Sequence, residues 1–199
     1  GVRVTGVEAL SALINESVAL TDAEAPPPTA STSTDAISLG IVSPQSKWSL
    51  AEYKPKKGPG GTMLKPNWEI SYDRFMGPER AHCETIAMTT QPKAIQPATV
   101  FNHLLEALVH GKPLDYDRAI AALPPDHRLT HTDANIFAQR AALRAQDVLR
   151  ERAFNQRALL DGIVRDVPFT VKSDEERRVD AAAYAKLRTW VALRRAGFV

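Results

Sequence analysis

Pro97 and Gly111 bracket the stretch that constrains this chain most, because between them Val100, Leu104, Ala107 and Leu108 recur along one helical face. Pro97 suits a first helical position, where its missing N–H costs nothing, and Gly111 suits the left-handed residue just past a helix end. A helix is therefore predicted from Pro97 to His110. Upstream, Glu79 to Ala87 reads as a shorter helix, with Met88 to Gln96, containing Pro92, as the polar turn between the two. Downstream, Pro113 enforces a break and Asp115 is placed to cap a helix that starts at Tyr116. Thr99, Asn102, His103, Glu106 and His110 fall off the apolar stripe. In helix-turn-helix domains the first turn of the second helix meets the groove, so Thr99, Asn102 and His103 are the contact candidates there.

The flanks carry different signals. Thr5 and Glu8 have capping-box spacing, and Val7, Leu10, Ile14 and Val18 continue it as a short amphipathic helix. Asp22 to Ser46 is rich in Ala, Pro, Ser and Thr, with little apolar surface to offset the entropy of ordering it. An extended arm that gains order from a partner is the expectation. Lys47, Lys54, Lys56, Lys57 and Lys65 then surround Gly58-Pro59-Gly60-Gly61, with Trp48, Tyr53 and Trp68 interleaved. Lysines can pair with phosphates and aromatics can stack on bases; the bland alternative is a solvated loop anchored by its tryptophans.

Beyond Pro124-Pro125, Thr132 opens a helical pattern that continues to about Val164, roughly 45 Å at 1.5 Å per residue. Ala138, Ala142, Ala145, Leu149 and Ala153 form a small-residue seam on it. The opposite face holds Arg140, Arg144, Arg150, Arg152 and Arg157, either a phosphate-binding stripe or a solvated surface. After an extended connector, Ser173 and Glu176 form a capping box for a last helix striped by Val179, Ala183, Leu187, Trp190 and Val191.

The fold class expected is mainly α, with a central helix-turn-helix-like helical domain, an extended N-terminal arm and long C-terminal helices. Its segments are 1–66 (N-terminal helix, arm and basic strip), 67–123 (helix-turn-helix-like domain) and 124–199 (long helix, connector and terminal helix). With 199 residues and 44% hydrophobic content the chain can build a real core. A net charge of +2 is too small to imply a polyanion partner by itself, so local clusters must carry that argument.

Four segments in order resemble the helix-turn-helix module near the C-terminus of RecQ-type and Werner-type DNA helicases: Ser71 to Phe75, Glu84 to Ala87, Ala98 to Leu104, and Gly111 to Arg118. The resemblance spans about residues 71–120 and is sharpest in T-V-x-x-H-L followed by G-K-P-L-D-x-D-R. It implies an accessory binding module in which Lys112 joins Thr99 and Asn102. It implies no motor activity, because the Walker A lysine, the acidic box and a cysteine set for zinc are missing.

Chemistry finds little support. Cys83 and His82, adjacent on a helix, point about 100° apart. His127 and His131 have metal-ligand spacing without a third ligand, and His103 and His110 read as surface groups. Asp115 and Asp117 read as helix-start electrostatics. No catalytic, cofactor or metal residues are expected, and the single cysteine excludes an internal disulfide. No apolar run reaches the roughly 18 residues of a membrane span. Gly1 in place of Met fits a fragment, a tag remnant or a matured protein whose mitochondrial presequence was removed.

The functional expectation is a non-catalytic accessory subunit of a large assembly that binds protein subunits and also RNA. A mitochondrial setting is favoured, the ribosome ahead of the respiratory chain. The alternative is a DNA-binding module of a helicase or repair factor in the nucleus.

Overall fold

The computed structural model describes residues 36–199, so the helix expected from Val7 to Val18 and the arm up to residue 35 lie outside the described residues. Among the described residues are seven α-helices: α1 Asn67–Met76, α2 Cys83–Thr89, α3 Pro97–Val109, α4 Tyr116–Ile120, α5 His131–Leu143, α6 Gln156–Leu159 and α7 Asp174–Ala196. Four two-residue strands accompany them: β1 Ile41–Val42, β2 Lys56–Lys57, β3 Met63–Leu64 and β4 Leu114–Asp115. β1 pairs antiparallel with β4, and β2 with β3. The fold is mainly helical, and among the described residues no helix is long and apolar enough to cross a membrane.

α3 is the axis of the core. Val100, Phe101, Leu104, Leu105, Ala107 and Leu108 are all buried along it, a wider apolar face than the four-residue stripe alone predicts. α1, α2 and α7 pack around it, and each large side chain buried there contributes on the order of 2 kcal/mol. The local signals at its ends hold: Pro97 is the first helical residue and Gly111 adopts φ +83°. Asp115 caps α4 through the Arg118 N–H at 3.2 Å, and Ser173 with Glu176 closes a capping box at α7. One apolar cluster takes residues from all three sequence segments, from Ile37 and Val42 through Phe75 to Trp190 and Leu193.

Three expectations are corrected. The first is the long helix from Thr132 to Val164, which ends at Leu143 and is followed by Ala145 at φ +50°. Its alanine seam has little area to bury, whereas the break lets Val148, Leu159 and Leu160 enter the core. Asp147 stabilises the turn by accepting from the N–H groups of Leu149 and Arg150. The second is the helix from Glu79, which begins at Cys83 instead: residues 79–82 offer only Ala81 to the core, Arg80 sits at φ +43°, and Glu79 pairs with Arg74 at 3.3 Å. The third concerns the arm. Its described part, residues 36–46, is ordered by this chain: Ile37 and Val42 are buried, Ile37 N–H donates to Leu129 O, and Asp117 accepts from Ser38 Oγ and from the N–H groups of Leu39 and Gly40.

A second long-range junction ties the basic strip to the last helix. Trp48 N–H donates to Val109 O at 2.9 Å, and its indole N–H donates to Leu149 O at 2.7 Å. The Arg195 guanidinium lies 3.8 Å over the Trp48 ring and donates to the carbonyls of Val148, Glu151 and Arg152. Gly111 makes this approach feasible, since a Cβ there would stand 2.9 Å from Lys47 N.

Candidate functional site

The glycines of the basic strip turn the chain back on itself. Gly60 and Gly61 take φ +75° and +79°, which only glycine adopts without strain, and Gly58 N–H donates to Thr62 O at 2.8 Å. The strip is thereby a hairpin in which Lys56 pairs with Leu64 and Lys57 with Met63. Opposed residues share a face, so Lys56 and Leu64 point one way while Lys57 and Met63 point the other. Tyr53 anchors the hairpin by donating its hydroxyl to Leu64 O at 2.9 Å and by meeting Trp68 edge-on at 6.3 Å. Lys54, Lys56 and Lys57 are exposed and form no ion pair with any described residue.

The arginines have a different fate. Since α5 ends at Leu143, Arg144, Arg150, Arg152 and Arg157 do not continue the face that Arg140 begins, and the single stripe does not exist. Arg140 donates to Leu159 O at 2.9 Å, Arg144 pairs with Asp161 at 2.6 Å and Arg150 with Asp147 at 3.5 Å. Arg152 pairs with Glu52, and Arg157 with Asp166. Exposed pairs of this kind contribute about 0–1 kcal/mol each to stability, yet they occupy the charge.

Thr99, Asn102 and His103 are half-buried on α3. His103 is held by Ser71, whose Oγ lies 2.9 Å from its Nδ1, and burial lowers its pKa. His110 stacks on Trp68 at 4.8 Å, and its pKa is lowered by burial and by Lys47. Both imidazoles are thus packing groups that favour the neutral form. Lys112 is exposed in the turn after α3.

Two cavities flank α3, and Glu106 lines both. The larger, of about 480 Å³, lies between α3 and α7 and brings together Asn102 and Arg152 beside Trp48, Phe154 and Arg188. The smaller, of about 350 Å³, lies under the hairpin and brings together Lys56 and His103 beside Tyr53, Trp68 and Glu106. Glu106 has no hydrogen-bond or ion-pair partner among the described residues, and burial raises its pKa. The Trp68 indole N–H is buried and also lacks an acceptor. Lys54, Lys57, Thr99 and Lys112, with Arg140, Arg144, Arg150 and Arg157, line neither cavity.

Sequence reasoning placed Glu106 off the apolar stripe but gave it no role; a lone acid one turn beyond His103 was the available signal. The junction made by Arg195 had no local signal. Among the described residues, no cluster of three or more His, Cys, Asp or Glu side chains is placed to hold a metal. Cys83 is buried, with its thiol pushed up to about 12 mainly by desolvation, which leaves it a poor nucleophile. No protein-family model, curated protein or solved structure matches the chain.

Proposed function

We propose that the chain is a non-catalytic accessory subunit of a large assembly, a mitochondrial ribosome in first place, which contacts RNA through the hairpin that carries Lys54, Lys56 and Lys57. One observation carries the reading: these three ammonium groups are exposed and unpaired, whereas all five arginines proposed as a phosphate stripe are already bonded within the chain. Met63 at 52% exposure and Leu64 at 48% add apolar surface to the same hairpin, suited to a protein neighbour beside the RNA.

Fluorescence anisotropy with a single-stranded RNA, repeated across salt concentrations, tests it. Each neutralised phosphate adds about 0.7 to the slope of log K against log salt. Changing all three lysines to glutamine should therefore flatten the slope by about 2. An unchanged slope would remove the hairpin from the interface, and no RNA binding by the unmodified protein would remove the reading altogether.

The rival reading, a DNA-binding accessory module, draws on the exposed turn between α2 and α3, on exposed Lys93, Gln96 and Ala98 in and beside it, and on exposed Lys112 past the other end of α3. It expects duplex DNA binding that is lost when Thr99, Asn102 and Lys112 are changed together. Glu106, two turns along the same helix, opposes a phosphate backbone laid along α3 and leaves only the first turn for the groove.

A further inference from the structure

The carbonyls at the C-terminal end of α3 are already satisfied by the backbone. Glu106 O accepts from His110 N–H at 3.0 Å, Ala107 O from Lys112 N–H at 3.0 Å, Leu108 O from Gly111 N–H at 2.9 Å and Val109 O from Trp48 N–H at 2.9 Å. These are the four carbonyls that a helix leaves open at this end, and none of them needs a lysine. Two lysines are nevertheless brought there. Lys112 follows Gly111 directly, and the close approach of the strip sets Lys47 beside it: a Cβ on Gly111 would lie 3.2 Å from Lys47 Cα, so the two lysine α-carbons are no more than about 9 Å apart. Both side chains are exposed and form no ion pair or hydrogen bond with any described residue. Lys47 is also near enough to His110 to join burial, the larger cause, in lowering that ring's pKa. The helix dipole favours a cation at this end, but two like charges this close repel each other, and an anion shared between them removes the repulsion.

We propose that Lys47 and Lys112 form a second phosphate-binding point for the same single-stranded RNA that the hairpin holds; the proposal rests on the RNA-binding reading above. A row of rings joins the two sets of lysines. Tyr53, which anchors the hairpin of Lys54, Lys56 and Lys57, meets Trp68 at 6.3 Å, and Trp68 stacks on His110 at 4.8 Å, next to Lys47. Cations at both ends of an aromatic row suit one strand crossing it, because phosphates pair with the cations while an exposed ring offers a face to a base. Tyr53, 37% exposed, is the ring placed to do so. The end of α3 is also the part of that helix where Glu106 opposes a strand least, since Lys112 and Lys47 lie beyond it and outnumber it. Gly111 is therefore more than a helix stop: by admitting the strip it places one lysine against the other.

The test measures anisotropy across salt concentrations with a uridine strand of about 12 nucleotides, within the roughly 4–16 that single-strand sites cover. Lys47→Gln with Lys112→Gln should flatten the slope of log K against log salt by about 1.4, and adding the three hairpin changes should bring the total to about 3.5. Such additivity is expected only if one strand engages both sets of lysines. Lys93→Gln is the control, since it removes an exposed charge from the turn before α3, at the opposite end of a helix about 20 Å long; it should leave the slope unchanged. Both lysines are exposed, so the double variant should keep its fold, which its melting curve verifies. An unchanged slope in Lys47→Gln with Lys112→Gln overturns the second point while leaving the hairpin's RNA reading in place. A flattening by Lys93→Gln as large per charge also overturns it, because the effect would then come from net charge alone. Failure of the unmodified protein to bind the strand overturns both.

Discussion

Replacing Gly111 with alanine tests the packing of the basic strip against α3. Two costs are separable. Gly111 has φ +83°, and an alanine there incurs about 1–2 kcal/mol of left-handed strain. The added Cβ would also meet Lys47 N at 2.9 Å and Lys47 Cα and Ser46 C at 3.2 Å, all backbone atoms that cannot swing aside. The strip must shift, and the shift acts on the Trp48 N–H bond to Val109 O and on the ring that Arg195 covers. Loss of that bond costs about 1 kcal/mol, and loosened packing of a large aromatic costs about as much again. The total is about 3–4 kcal/mol. Gly197→Ala is the control, since Gly197 has φ +87° and nothing within 4 Å of where a Cβ would stand, so it carries the strain without the collision. Urea unfolding followed by tryptophan fluorescence should show Gly111→Ala less stable than Gly197→Ala by about 2 kcal/mol. Equal losses, to within about 0.5 kcal/mol, would mean that the strip does not press on Gly111.

Two further outcomes concern titration and reactivity. Asp117 is held below the ordinary carboxylate range by its bonds to Ser38 Oγ and to the N–H groups of Leu39 and Gly40, so its contribution is complete above the unfolded value and fades as pH falls through the lower folded one. Asp117→Asn should lower stability at neutral pH by about 1–3 kcal/mol and flatten the loss of stability below about pH 4, read from denaturant midpoints at several pH values. Cys83, with its thiol raised to about 12, should resist alkylation at pH 8 in native buffer and react promptly in urea; fast native labelling would contradict its burial.

The parts of the fold that were legible are those fixed by neighbours in sequence. Pro97, Gly111, Asp115 and the Ser173–Glu176 box act within one helical turn, and each does in the structure what its position predicts. Contacts between distant residues were not legible. Asp117 reads as helix-start electrostatics, yet it also ties down residues 38–40, and no local pattern marks that bond. The helix through Arg140 and Arg157 fails because periodicity reports only that a face exists; Val148 and Leu159 have more area to bury than the alanines that would have continued it. At the candidate site the lysines and glycines were visible as a strip. Their folding into a hairpin over Glu106 depends on Tyr53 and Trp68 meeting across intervening residues, which spacing alone does not encode.

The place of α7 beside α3 sets an order of events during synthesis. Leu187, Trp190, Val191 and Leu193 complete the core around a helix made some ninety residues earlier, and Arg195 fastens the Trp48 turn from nearly the last position of the chain. A nascent chain that has emerged only as far as α6 holds α3 with one flank bare to water, so an early-made half must wait on a late-made clasp. Slowing translation just before α7 should prolong that wait, and the greasy flank is then the surface for a chaperone to shield.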